Sequence, residues 1–307
     1  MINQSPKTTC YLCGSIDSRT LFLGRDRLHR VDDALFQIYR CDRCSLVFLS
    51  PQPTEEELKK YYPEDYGPYH TESSVLKYGT LSRVLKKIFL LFSQKKRETS
   101  PDTSSASFLD FGCGGGAHLE RMRAFHPHWE FCGFDTSEHA CVSARGKGFT
   151  IATGDIETAL GMFKGHFDVI HMGHVVEHLP NPRATLVFLR TLLKPGGELR
   201  MSTPNVNSLA AKLFRTYWFA LDTPRHLFLF SPRTISRLLS EVGFVTTTIE
   251  CTRDMGVEIR SINYLFERSD MRIPFVLWHI ARMLLSPIGI LLATFKKSSV
   301  MSITAHA

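Results

Sequence analysis

The chain has 307 residues, 43% of them apolar, and a formal net charge of +7. That length holds one large domain or a main domain with a smaller one, and the apolar share rules out a chain too polar to bury a core. The positive balance suits anionic partners, or is a plain solvated basic surface.

Residues 1–20 begin "MINQSPKTTC" and lack a basic segment followed by an apolar one. A secretory signal is therefore not expected, and a cytoplasmic, reducing setting is. The eight cysteines then read as metal ligands or core residues rather than disulfides. Cys10-x2-Cys13 and Cys41-x2-Cys44 have the spacing of two knuckles that close around one tetrahedral zinc. Gly14 and Ser45 follow the pairs and suit tight knuckle turns. Four sulfurs leave no open position, so such an ion would be structural. Cys113, Cys132, Cys141 and Cys251 are scattered and read as core residues.

The segment 49–70 opens with a Pro-punctuated turn. A short helix follows from a Thr54 cap, with Glu57 at the capping-box position, and then a Tyr/Pro-rich connection. Residues 75–97 read as a basic amphipathic helix, and 98–107 as a linker by composition. From "SFLDFG" (107–112) onward, short apolar strands alternate with helical segments through "FVTTTIEC" (244–251). Alternation of that kind predicts a parallel sheet covered on both faces. The closing "VMSITAHA" reads as a last strand, antiparallel in some such sheets. Before it lies an insertion with the apolar run 273–295. His279, Arg282, Pro274 and Pro287 argue against a bilayer span there. A membrane-surface helix pair, a lid or a dimer face remain open, so peripheral membrane contact is one expectation and the oligomeric state is not fixed.

The stretch "FLDFGCGGG" (108–116) ends a strand in bare backbone. Gly112, Gly114 and Gly116 give G-x-G-x-G, a turn whose backbone a nucleotide-like ligand can approach closely. The dinucleotide fingerprint is met only by the tolerated variant with Ala117 in its last place, and no P-loop pattern is present. Asp110, two residues before the first glycine, would repel a pyrophosphate and attract a cationic ligand.

This pattern resembles the first motif of the class I S-adenosylmethionine (SAM) methyltransferases. Asp135 in "CGFDTS", with Thr136 beside it, falls where that resemblance implies an acceptor of the ribose hydroxyls. Asp155 and Ile156, in "GDIE", fall where it implies an adenine contact. "HMGHVVEHLPNP" (171–182), with Gly173 closing its strand, and "LLKPGGEL" (192–199) continue the likeness. It covers residues 107–250. The implied fold is a Rossmann-like, mostly parallel α/β sheet with an antiparallel last strand. The plainer alternative makes Gly112–Gly116 a tight turn, Asp135 and Asp155 helix caps, and Glu177 and His178 fold-holding polar residues.

A hydroxyl nucleophile needs a base, and histidine is the natural one. His174 and His178 follow the fourth core strand and would share a face if a helix starts there. His226 lies in "WFALDTPRHLFLFSP" (218–232), a stretch similar to one common in this group. Arg225 reads either as an anion clamp or as a loop pin. Quinone O-methyltransferases of the superfamily use a Glu/His cluster with a divalent cation at the corresponding Glu-His; the extra acid is not evident here.

The Cys-marked head resembles the zinc ribbon fused to methyltransferases of sugar and cell-surface glycan biosynthesis. That resemblance alone implies a saccharide or glycan-precursor acceptor. Mixed charge in the head disfavours nucleic acid. The expected organisation is a head and connection over 1–70, a basic helix and linker over 71–106, a SAM-binding core over 107–251, and an apolar insertion with the last strand over 252–307. Competing expectations are a quinone-like or lipid acceptor, and an inactive scaffold.

Overall fold

The protein is described from a computed structural model, over residues 8–63, 105–266 and 275–307. The basic helix expected at 75–97, most of the linker after it and the end of the Tyr/Pro-rich connection lie outside these residues.

The head forms three antiparallel strands, β1 (Ser18–Gly24), β2 (Phe36–Cys41) and β3 (Val47–Leu49). Helix α1 (Glu55–Lys59) follows. The Thr54 side chain accepts from the Glu57 N–H, and the Glu57 side chain accepts from the Thr54 N–H. That is the reciprocal capping box the spacing predicts.

The core opens with β4 (Ser107–Phe111), α2 (Ala117–Phe125), β5 (Glu130–Asp135), α3 (Glu138–Gly146), β6 (Thr150–Thr153) and α4 (Ile156–Leu160). It continues with β7 (Phe167–Gly173), α5 (Pro182–Leu192), β8 (Leu193–Pro204) and α6 (Leu209–Phe214). Then come β9 (Phe228–Leu229), α7 (Pro232–Glu241) and β10 (Val245–Cys251). The chain closes with α8 (Gly256–Leu265), α9 (Phe275–Leu284), α10 (Ser286–Thr294) and β11 (Val300–His306).

Seven strands make the central sheet, in the order β10-β11-β8-β7-β4-β5-β6. β4 to β8 are parallel, and β11 inserts antiparallel between β8 and β10. This is the mostly parallel sheet that the βα alternation requires, with its last strand reversed. The sequence reads as a helix through "RATLVFLRTLLKPGG" (183–197) and leaves a helix from His174 as a condition, and the structure alters both. "LKPGG" belongs to β8, not to the end of α5: the β7–β8 register jumps from Phe167↔Leu193 to Val169↔Glu198, and Gly196 sits at φ 75° in the bulge between. No helix starts at His174. That residue has φ 57°, unfavourable for an L side chain in a helix, and α5 begins only after Asn181, which accepts from the Ala184 N–H at 3.2 Å.

β9 does not join the core sheet. It pairs antiparallel with β3 and completes the head sheet in the order β1-β2-β3-β9. One apolar cluster accordingly runs from Leu46 and Phe48 of the head into Phe230, Ile235 and Leu238 of the core. Among the described residues no helix is long and apolar enough to cross a membrane.

Candidate active site

The glycine turn lies between the carboxyl end of β4 and α2. Gly112, Gly114 and Gly116 adopt φ of 81°, 50° and 79°, which L side chains tolerate poorly. A Cβ on Gly112 would stand 2.4 Å from Cγ2 of Val175, and one on Gly116 3.0 Å from Cβ of Ala144. Gly112 and Gly116 are therefore required by close approach of neighbouring elements as well as by conformation. Asp135, at the carboxyl end of β5, faces this turn. The Gly114 N–H donates to its Oδ2 and the Ser137 N–H to its Oδ1, both at 2.9 Å. Burial raises its pKa against those donors. An exposed Thr136 continues the rim. Bare backbone and an edge carboxylate fit the adenosyl end of SAM.

The other expected cofactor residues divide. Gly173 ends β7 as expected. Asp155 is exposed and caps α4, its Oδ1 accepting from the Thr158 N–H at 2.9 Å, which lowers its pKa. Ile156, half-buried, packs on the core cluster. Asp110 is buried within β4, and its Oδ1 lies 2.7 Å from Nδ1 of His171 on β7. His118 stacks on His171 with ring centroids 3.8 Å apart.

The segment after β7 turns back over Gly112 and brings Glu177, His178 and His226 together, their ligand atoms within 4.8 Å of one another. Glu177 is fully buried. Its Oε1 is 3.2 Å from Nδ1 of His174, and its Oε2 accepts from the Thr203 hydroxyl at 2.9 Å. Burial opposes its charge, but the His174 hydrogen bond and the surrounding imidazoles outweigh that and hold its pKa down at about 2. His174 is half-exposed. Burial lowers its pKa, and the stronger pull of Glu177 leaves it raised. His174 and His178 thus meet through Glu177 rather than along a helix face.

Partner chemistry assigns the tautomers. Nδ1 of His226 lies 2.9 Å from the Ala220 carbonyl, which can only accept, so Nδ1 carries a proton. Nδ1 of His178 lies 3.1 Å from the Arg225 carbonyl and 2.9 Å from the Tyr62 hydroxyl. It too is a donor, and its Nε2 is bare. Burial and the neighbouring His226 push His178 down to about 4. The two rings meet edge-on with centroids 4.6 Å apart. Nε2 of His226 is 4.0 Å from Glu177 and 3.9 Å from Asp222.

Arg225 settles as a loop pin. It is fully buried. Its Nε donates to both Asp222 oxygens at 3.1 Å, its Nη2 to Asp26 at 2.7 Å and its Nη1 to the Tyr61 carbonyl at 3.0 Å. With its donors so engaged it cannot clamp an acceptor. Tyr62 and Asp222 complete the cluster, and sequence reasoning missed both. The aromatic pair before Pro63 was the only local sign of Tyr62, and Asp222 stood in the quoted 218–232 stretch without a role.

In the head, Sγ of Cys10 and Cys44, and of Cys13 and Cys41, lie 3.5 Å apart, and all four fall within 4.8 Å. Tetrahedral zinc–thiolate bonds of ~2.3 Å put sulfurs ~3.8 Å apart, so the set fits such an ion. Gly14 and Ser45 take φ of 70° and 68°, and their N–H groups donate to the Cys10 and Cys41 carbonyls at 2.9 Å. The knuckle turns form as the spacing predicts.

Strand order, reversed last strand and glycine cradle together define the Rossmann-like fold of class I SAM-dependent methyltransferases. A family model described as a methyltransferase domain matches residues 80–249. That is more than half of the chain, and the chain belongs to this family. Among curated proteins it is similar to a ubiquinone biosynthesis O-methyltransferase of Aromatoleum aromaticum, 32% identical over 131 residues, 41% of this chain and 53% of that protein. A protein of the same name from Thiobacillus denitrificans is 29% identical over 161 residues, 48% of this chain and 68% of that protein. The match thus spans about half the length of the Aromatoleum relative. Among solved structures, a SAM-dependent methyltransferase from Archaeoglobus fulgidus superimposes with TM-score 0.46 at 20% identity, over 75% of this chain and 95% of that one.

Proposed function

We propose that the chain transfers the methyl group of SAM to a hydroxyl of a quinol-like or similar lipid-soluble small molecule, and that zinc held by Cys10, Cys13, Cys41 and Cys44 staples the head. The observation that carries the catalytic part is the Glu177–His178–His226 cluster, folded over the glycine turn through Val175. The relatives' names favour a quinone-class acceptor over the saccharide that the head's resemblance suggested.

Methyl transfer from a sulfonium is an in-line displacement, and alignment alone can supply ~7–11 kcal/mol. The cradle and Asp135 hold the donor, and the acceptor hydroxyl must reach the cluster. There Nε2 of neutral His226, beside Glu177 and Asp222, or the bare Nε2 of His178 takes its proton. Glu177, held ionised, and Asp222 stabilise the imidazolium that results. One carboxylate and two imidazoles also suit a divalent transition metal better than magnesium. Glu177, His178 and His226 would hold it, and it would lower the pKa of the acceptor hydroxyl.

The test begins with calorimetry of SAM and S-adenosylhomocysteine on protein whose zinc content is measured in the same sample. Micromolar binding with one zinc per chain supports the assignment. It is followed by turnover with catechol-type quinol analogues and with sugars, each with and without a chelator. Absence of SAM binding in zinc-loaded protein overturns the enzyme reading and favours a scaffold. Turnover of sugars alone overturns the acceptor class.

A further inference from the structure

We infer that the outer face of α9 and α10 seats this protein on an anionic lipid surface. The inference stands on that face alone, independent of the acceptor proposed above. Leu277, Ile280 and Leu284 on α9 are exposed, and Ile288, Leu291 and Phe295 continue them along and just beyond α10. Their spacing of three and four residues lays one apolar stripe along both helices. The exposures are large along the stripe: 68% for Leu284, 58% for Leu291 and 66% for Phe295. A water-facing helix seldom displays so much contiguous apolar surface without a partner.

The opposite side is bound to the core. Arg282 donates to Asp254, and its guanidinium lies 4.5 Å from the centroid of the Trp278 ring. A Cβ on Gly289 would stand 2.2 Å from the Arg253 carbonyl, so α10 packs there backbone to backbone. Among the described residues the stripe is therefore the uncovered side of a pair fixed to the core.

Charge selects the occupant. Residues 271–307 contain no aspartate or glutamate. Exposed Lys296 and Lys297 follow directly on Phe295. An apolar stripe that runs into two exposed lysines, with Arg282 already paired to Asp254 on its core side, complements the boundary between acyl chains and anionic headgroups. Since no described helix can span a bilayer, the contact is one lying in the interface.

The experiment is co-sedimentation of the full chain with vesicles of phosphatidylcholine alone and of phosphatidylcholine mixed with phosphatidylglycerol. Binding to the mixed vesicles, weakened by salt, is expected. Lys296→Gln with Lys297→Gln should weaken it by roughly 25-fold, at about fivefold per cation. Leu284→Gln with Leu291→Gln should weaken it at least as much while SAM affinity stays at the wild-type value, because both side chains already face water. Protein that stays in the supernatant with the mixed vesicles at low salt overturns the inference. So does a lipid-free dimer that the leucine variant converts to monomer, since the face would then belong to a second copy.

Discussion

Glu177→Gln isolates the charge of the buried carboxylate from its shape. The amide oxygen can still accept from Thr203, and the amide nitrogen can still meet Nδ1 of His174, so packing and hydrogen-bond count change little. What is lost is the charge that His174 and His226 face. Holding the pKa at about 2 instead of 4.5 corresponds to about 3 kcal/mol in favour of the folded state. The sign follows from linkage. A depressed carboxylate pKa contributes stability above 4.5 and loses it as pH falls through about 2. The raised pKa of His174 contributes below its ordinary 6.5 and is lost as pH rises through its folded value. The pair's contribution is therefore full between 4.5 and 6.5. Urea unfolding of both proteins across that range should show the variant about 3 kcal/mol less stable on the plateau. The two curves should converge as pH falls through about 2 and draw closer as pH rises through the folded pKa of His174. Equal stability between 4.5 and 6.5 would refute the claim that the cluster holds a charged Glu177.

Three further outcomes are expected. Tyr62→Phe removes the hydroxyl beside Nδ1 of His178, and kcat should fall about fivefold, the worth of one hydrogen bond of ~1 kcal/mol, with the KM for SAM unchanged; an unaltered kcat denies Tyr62 its orienting part. Asp135→Ala should abolish SAM binding by calorimetry, and wild-type affinity would remove Asp135 from the cradle. Cys41→Ser should lower zinc content and melting temperature together, because ligation of such sites is folding free energy; a stable, zinc-free variant that lost turnover alone would assign the metal a role beyond structure.

The parts legible in the sequence are those whose partners are close along the chain. The Thr54 capping box, both knuckles and the glycine turn each close within a few residues, where local rules apply. The sheet was legible through its repeated βα period. The condition of a helix starting at His174 is not met, because apolar residues and a histidine pair at helical spacing say nothing of a residue held at φ 57°. Asp155 was ambiguous for a related reason: one carboxylate at a strand end serves equally as cap or as ligand, and here it caps α4. Pairings across long separations left no local trace. β3 with β9, Asp26 with Arg225 and Tyr62 with His178 are brought together only by the closed fold.

Those same pairings bear on what the head is for. A ribbon that served only as a separate recognition module would touch the core through a polar, separable face. Here the head sheet takes its fourth strand from the core. Asp26 reaches the buried guanidinium of Arg225, whose other donors fix Asp222 and the Tyr61 carbonyl. Tyr11 accepts from the Arg183 N–H at 2.8 Å, just beyond the cluster segment. Each of these contacts ends on a residue that positions His178 or His226 or on the chain beside them. Removing one partner of a buried ion pair costs ~3–5 kcal/mol, so an unfolded head would leave Arg225 short of Asp26 and strain the loop that carries His226. Zinc in the head would then act on the chemistry through the ribbon's fold, by the path Cys41, β2–β3, β9 and the loop from Asp222 to His226. On that account metal loss and Asp26→Ala should impair turnover in the same way, by loosening one loop from two sides.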